Sequence, residues 1–154
     1  SGAKLLIVGK GDVLDKLKKL AEKKEINGKV QFFGVMPYEE MIQLTAICDL
    51  GLTLDKPKSL NYQLSLPNKL FDYIMAGIPV VASDLVEVKK IVESFKVGTI
   101  IPNHNPKEIA ICIQSLLDDE IKHKTFRDNC KTASQELSWE IESEELKKIY
   151  EVYL

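Results

Sequence analysis

Short apolar runs alternate with amphipathic stretches along most of this chain. Leu5-Leu6-Ile7-Val8 is a continuous apolar run closed by Gly9-Lys10-Gly11-Asp12, the pattern of a strand buried on both faces and its exit turn. Val13, Leu14, Leu17, Leu20 and Ala21 then recur at helical spacing with lysines between them, predicting a helix that stops near Asn27-Gly28. Residues 30–33 read as a second strand closed by Gly34, and a helix over 38–47 starts behind Pro37, where a missing amide costs nothing. Strands follow at 49–54, 78–83 and 98–101, with helices at 69–76 and 87–94 between them.

Strands alternating with helices of about ten residues imply right-handed crossovers and a parallel sheet covered on both faces. The fold class is therefore α/β, a Rossmann-like doubly wound parallel sheet. After Pro106 the pattern is helical only: Ile109, Ala110, Ile113, Leu116 and Leu117 mark one stripe, and further helices are predicted over 121–136 and 139–153. Residues 55–68 carry no convincing periodicity and exceed the usual connection of roughly 2 to 6 residues. This stretch follows the end of a strand, where open parallel sheets bind ligands, so it reads either as a surface insertion or as the cover of a site. With no repeat or linker, residues 3–154 are expected to form one domain with a helical tail. The opening Ser1-Gly2, without methionine, reads as a remnant appended to an internal fragment.

Composition narrows the function classes. A chain of 154 residues, 45% apolar and 29% charged, is an ordinary globular sequence that folds without metal or disulfide staples. A net charge of -2 offers no footprint for nucleic acid, and no apolar run approaches the roughly 20 residues of a membrane span. Cys48, Cys112 and Cys130 lack metal-ligand spacing and read as small apolar residues in a reducing compartment. Arg127 is the sole arginine beside twenty lysines, so charge-based anion recognition falls to lysines or backbone amides.

The segment Leu66-Pro67-Asn68-Lys69-Leu70-Phe71-Asp72-Tyr73-Ile74-Met75-Ala76-Gly77-Ile78-Pro79 turns that composition into chemistry. Asn68 is a suitable N-cap, which leaves the amides of Lys69, Leu70 and Phe71 pointing from a helix end that attracts anions, with Lys69 beside them. Helical spacing assigns Leu70, Phe71, Ile74 and Met75 to the core and Lys69, Asp72, Tyr73 and Ala76 to the other side. Asp72, one turn from the amides, either complements the helix dipole or accepts hydroxyl protons from a ribose attached to the bound phosphate.

The run from Leu66 to Ser83 resembles the signature of GT-B fold glycosyltransferases, specifically family 4 and the group 1 glycosyl transferases. Gly9-Lys10-Gly11-Asp12, Val30-Gln31-Phe32-Phe33-Gly34, Pro37-Tyr38-Glu39-Glu40, Cys48-Asp49-Leu50-Gly51-Leu52 and Leu137-Ser138-Trp139 fall in the same order. The resemblance implies the C-terminal, donor-binding half of a retaining transferase. Such an enzyme moves a sugar from a nucleotide-diphosphate-sugar to a glycan or lipid-linked acceptor, in cytoplasmic polysaccharide biosynthesis or at the inner face of the membrane. It implies that Gly34, Val35 and Met36 border the base, that Lys69 and Leu70 meet the diphosphate by their amides beside Asn68, and that Asp72 binds the ribose. Gly9 reads as a strand-exit turn or as a donor contact. No cofactor or metal is implied, because the nucleotide sugar is the donor substrate.

Three departures stand beside this likeness. Leu64 occupies the place of the first of two acidic residues eight apart, and Asp72 stands where glutamate is usual. The strand and helix that open the family's domain, with their Arg and Lys, precede the chain, as does the acceptor-binding domain, so the isolated piece is expected to be inactive. A degenerate domain without donor binding is the alternative reading. A phosphoryl receiver is disfavoured because Val8 and Gly9 stand where its carboxylates belong. His104 and His123 read as solvent-exposed, Lys56 and Lys58 as a solvated loop or phosphate attractors, and Trp139 and Tyr150 as packing residues. By the resemblance, the last helix packs toward the missing domain.

Overall fold

The computed structural model describes residues 2–151. The chain divides into two compact units, Ser1–Gln43 and Leu44–Leu154. In the first, β1 (Leu5–Val8) and β2 (Val30–Phe33) pair in parallel with Leu5 opposite Val30 and Val8 opposite Phe33. The crossover between them is α1 (Leu14–Lys23), with Asp15 in its first turn and Lys23 in its last, each of the sign that suits the helix dipole. Its end comes before the predicted Asn27-Gly28 stop. Glu25 takes a left-handed φ of 54°, and the amide of Ile26 donates to the Ala21 carbonyl at 3.0 Å. Among the described residues of this unit only Ala21 is a buried hydrophobic; Val13 at the N-cap of α1 and Leu17 and Leu20 within it remain exposed. The chain then enters α2 (Tyr38–Ala46).

The second unit holds β3 (Gly51–Thr53), α3 (Leu60–Leu64), α4 (Asn68–Met75), β4 (Val80–Ala82), α5 (Val86–Phe95) and β5 (Gly98–Ile100), followed by α6 (Pro106–Asp118), α7 (Glu120–Glu136) and α8 (Trp139–Glu151). Its sheet runs β3-β4-β5, all parallel, so the five predicted strands form a two-stranded and a three-stranded sheet. β4 is central and wholly buried. Its alternation splits the interior: Val80 and Ala82 join Leu70, Ile74, Val88, Val92, Cys130 and Ala133, whereas Val81 joins Ile101 and Leu116 on the other side. Helices thus cover both faces of this sheet, as the doubly wound class requires.

Three expectations change. Residues 55–68 are not all loop, because Ser59 caps α3 by accepting the Tyr62 amide at 3.4 Å; five residues are too few to show periodicity. On α4 the core face is the buried Leu70 and Ile74 with the half-buried Tyr73 packed against them, rather than one including Met75, which is exposed. Tyr73 turns inward because Gly51 of β3 has no side chain: a Cβ there would fall within the tyrosine ring. Trp139 and Tyr150 are exposed, since α8 buries none of its described residues. The predicted positions 152 and 153 of this helix lie outside the described residues.

A methyl group at Gly51 must push Tyr73 aside, so Gly51→Ala is expected to cost about 1–3 kcal/mol in urea unfolding, as overpacking does. That cost shrinks when Tyr73→Ala is already present. Gly98→Ala meets the Val80 carbonyl, which is backbone, and should find no such relief. A second expectation concerns Cys130, whose Sγ faces the Ile78 carbonyl at 3.3 Å. Burial pushes its thiol up to about 12 from 9.0. The folded chain therefore keeps a proton that the unfolded chain loses, and stability falls as pH rises from 9 toward 12. Cys130→Ala flattens that slope in denaturation measured across the window.

Candidate functional site

The second unit gathers its polar chemistry at the carboxyl ends of β3 and β4, beside the start of α4. The entry to α4 is set by proline. Pro67, at φ -74° and ψ 135°, is the N-cap residue, and Asn68 is the first helical residue. The expected Asn68 cap is therefore corrected by one position: the extended conformation fixed by Pro67 takes the boundary place, and no side chain caps the helix. The Leu70 amide donates to the Pro67 carbonyl at 3.0 Å and the Leu70 side chain is fully buried, so Leu70 offers no open amide. Among the described residues, no acceptor meets the amides of Asn68 and Lys69, and these two carry the positive end of the helix dipole.

Lys69 is half-buried, and its Nζ lies 2.8 Å from Asp55 Oδ2. The same carboxylate oxygen accepts the hydroxyl of Thr53, the last residue of β3, at 3.2 Å. The Asp55 carbonyl lies 3.3 Å from His104 Nε2, which also meets Ser83 Oγ at 3.0 Å. Thr53 and Ser83 are joined directly as well, the Ser83 amide donating to the Thr53 carbonyl at 2.9 Å. The result is a connected junction of Lys69, Asp55, Thr53, Ser83 and His104. An ion pair as open as Lys69–Asp55 is worth about 1 kcal/mol or less to folding.

Asp72 is half-buried one turn beyond Lys69. Tyr73 sends its hydroxyl to the Leu52 carbonyl at 3.3 Å. Burial pushes its phenol above the ordinary value, partly offset by that bond. Leu64 is exposed at the end of α3, and Lys56 and Lys58 are exposed in the preceding loop.

In the first unit, Gly9 follows β1 at φ 124° and donates its amide to the Gly34 carbonyl at 3.3 Å beyond β2. The two glycines are therefore neighbours at the strand ends. Gly34 and Val35 are exposed, and Met36 is half-buried.

The histidines correct the sequence reading. His104 is half-buried because it closes the buried hydroxyl of Ser83, and the start of α6 at the Asn105 cap holds it in place. His123 is half-buried too, with Nε2 2.7 Å from the Asp49 carbonyl. Asp55, Thr53, Ser83 and His104 were not singled out as site residues. The available signal was a threonine and a serine at the exits of apolar strands. Among the described residues, no group of three or more His, Cys, Asp or Glu is placed to hold a metal, and no helix is long and apolar enough to cross a membrane.

Comparison with known proteins places this geometry in a family. The sequence model described as "Glycosyl transferases group 1" matches residues 1–133. An uncharacterized glycosyltransferase of Methanocaldococcus jannaschii is 27% identical over 148 residues, covering 96% of this chain and 36% of that protein. Sucrose-phosphate synthase from Thermosynechococcus elongatus superposes with a TM-score of 0.77 at 19% identity, over 97% of this chain and 38% of the synthase. The Anabaena protein HepE, solved in complex with UDP and glucose, gives a TM-score of 0.72 at 21% identity over 86% of this chain and 36% of that one. These structures share the GT-B glycosyltransferase fold, of which the chain spans about a third of the length.

Replacing His104 by Ala leaves the buried Ser83 hydroxyl without its partner and releases the Asp55 carbonyl. The expected loss is about 1–3 kcal/mol in chemical denaturation, the cost of an unsatisfied buried group. Adding Ser83→Ala to His104→Ala should recover part of it.

Proposed function

The chain belongs to the glycosyl transferases group 1 family, and from that premise we propose that it is the donor-binding half of a retaining glycosyltransferase. Its enzyme moves a sugar from a nucleotide-diphosphate-sugar to a glycan or lipid-linked acceptor. The observation that carries this reading is the start of α4. Two open amides, of Asn68 and Lys69, and the Lys69 ammonium meet at the carboxyl end of a parallel sheet, where such folds bind ligands.

A diphosphate leaving group builds negative charge as the glycosidic bond breaks. Preformed amide dipoles and a fixed ammonium stabilise that charge without reorganising at the moment of reaction. Asp72, one helical turn on, is placed to accept the ribose hydroxyl protons, which gives the nucleotide an orientation along α4. In the first unit, the resemblance assigns Gly34, Val35 and Met36 to the base, and Gly9 beside Gly34 to a donor contact or a plain strand-exit turn. The acceptor is assigned to the remainder of the enzyme, so the 154 residues alone are expected to bind donor nucleotide without turnover. The enzyme is assigned to polysaccharide synthesis in the cytoplasm or at the inner face of the membrane.

On this reading the family's domain holds one more strand and helix than these residues supply. Support comes from the first unit, where among the described residues β1 has a single strand partner, and Val13 at the N-cap of α1 with Leu17 and Leu20 of the helix are 54%, 38% and 48% exposed. An apolar stripe of that kind on an α/β crossover helix calls for a neighbouring element.

The test is calorimetric titration of UDP, GDP, ADP and CMP into this chain and into a version extended by the preceding strand and helix. Binding of one of the diphosphates by the extended chain is expected; no binding of any at millimolar concentration removes the donor assignment. Asp72→Asn should weaken the diphosphate that binds by about 1.5–3 kcal/mol, the scale of hydrogen bonds to a charged group. Equal affinity returns Asp72 to a helix-dipole role.

A further inference from the structure

Thr53 and Ser83 are the two buried polar residues among those described, and each needs a partner inside the fold. Thr53 spends its hydroxyl on Asp55 Oδ2 at 3.2 Å. Ser83 pairs with His104 Nε2 at 3.0 Å, and that nitrogen also lies 3.3 Å from the Asp55 carbonyl. Read as a hydrogen bond, the contact with that carbonyl, which only accepts, requires Nε2 to carry the hydrogen. Both buried hydroxyls therefore act, directly or through one imidazole, to fix a single half-exposed residue. Among the described residues, the flexible group that Asp55 engages is the Lys69 ammonium, at 2.8 Å.

We propose that Asp55 is a positioning residue: it holds the Lys69 ammonium at the carboxyl end of β3, ready for the donor diphosphate. This rests on the donor-binding reading above. A lysine is a point charge on a four-carbon stem, and ordering that stem is part of the cost of binding an anion. The ion pair itself is too open to matter much for folding, so what it contributes is the place of the ammonium, and the buried network behind Asp55 holds that carboxylate where the pair can form. One of the three ammonium donors is taken by Asp55, which leaves two for phosphate oxygens.

The test is a double-mutant cycle on the full natural chain that carries these residues. The ligands are the tightest binder among UDP, GDP and ADP, and its parent nucleoside. Asp55→Ala is expected to weaken the diphosphate about three- to tenfold, the scale of ordering one long side chain. The same change in the Lys69→Ala background should do nothing, and nucleoside affinity should stay constant throughout. If Asp55→Ala unfolds the chain, Asp55→Asn supplies the same comparison, since it keeps an acceptor for Thr53 and removes the charge. Equal losses with and without Lys69, or tighter diphosphate binding by Asp55→Ala, overturn the proposal while leaving the donor site standing. Absence of diphosphate binding in the wild type removes the donor reading, and this inference with it.

Discussion

The position of α4 depends on a side chain that is not there. Gly51 leaves room for the Tyr73 ring to lie flat on β3, and the phenol then reaches the Leu52 carbonyl. With Leu70 and Ile74 driven into the same core, the helix is fixed along its length against β3 and β4. Gly77, at φ 71°, turns the chain out of the helix straight into β4. Since both the exit and the inner face of α4 are set, its start has nowhere to lie but beside the carboxyl end of β3. The chemistry there follows from packing done about one turn further along the helix.

At that end the fold faces an electrostatic problem with few parts. A single arginine is available in the whole chain, so on the proposed reading a diphosphate is met by amides and lysine. Pro67 leaves the first two amides of α4 open, and the Asp55 carboxylate holds the one lysine next to them. The buried hydroxyls of Thr53 and Ser83 connect this exposed pair to the rigid middle of the sheet. Loss of either hydroxyl bond therefore reaches the site without touching it.

Much of this was legible in the sequence, and the misses share a cause. All five strands and the longer helices follow from apolar runs and helical spacing, and the ordered motifs led to the family that residues 1–133 match. Periodicity is a property of many residues, so it passed over α3, which has only five. It also cannot choose between Tyr73 and Met75, because that choice was made by a glycine 22 positions earlier on another element. The same limit hid His104, whose partners Ser83 and Asp55 lie 21 and 49 residues away. Gly34, Val35 and Met36 were reached by resemblance alone, and no spacing rule points to them.

The central claim is that the open end of α4 receives a nucleoside diphosphate. It is tested most directly by following backbone amide resonances of the nitrogen-15-labelled, N-terminally extended chain during titration with the diphosphate that binds. The account predicts that the amides of Asn68 and Lys69 move most within the second unit, with Asp55 following through its lysine. A diphosphate that saturates the chain while those two amides stay unchanged contradicts it.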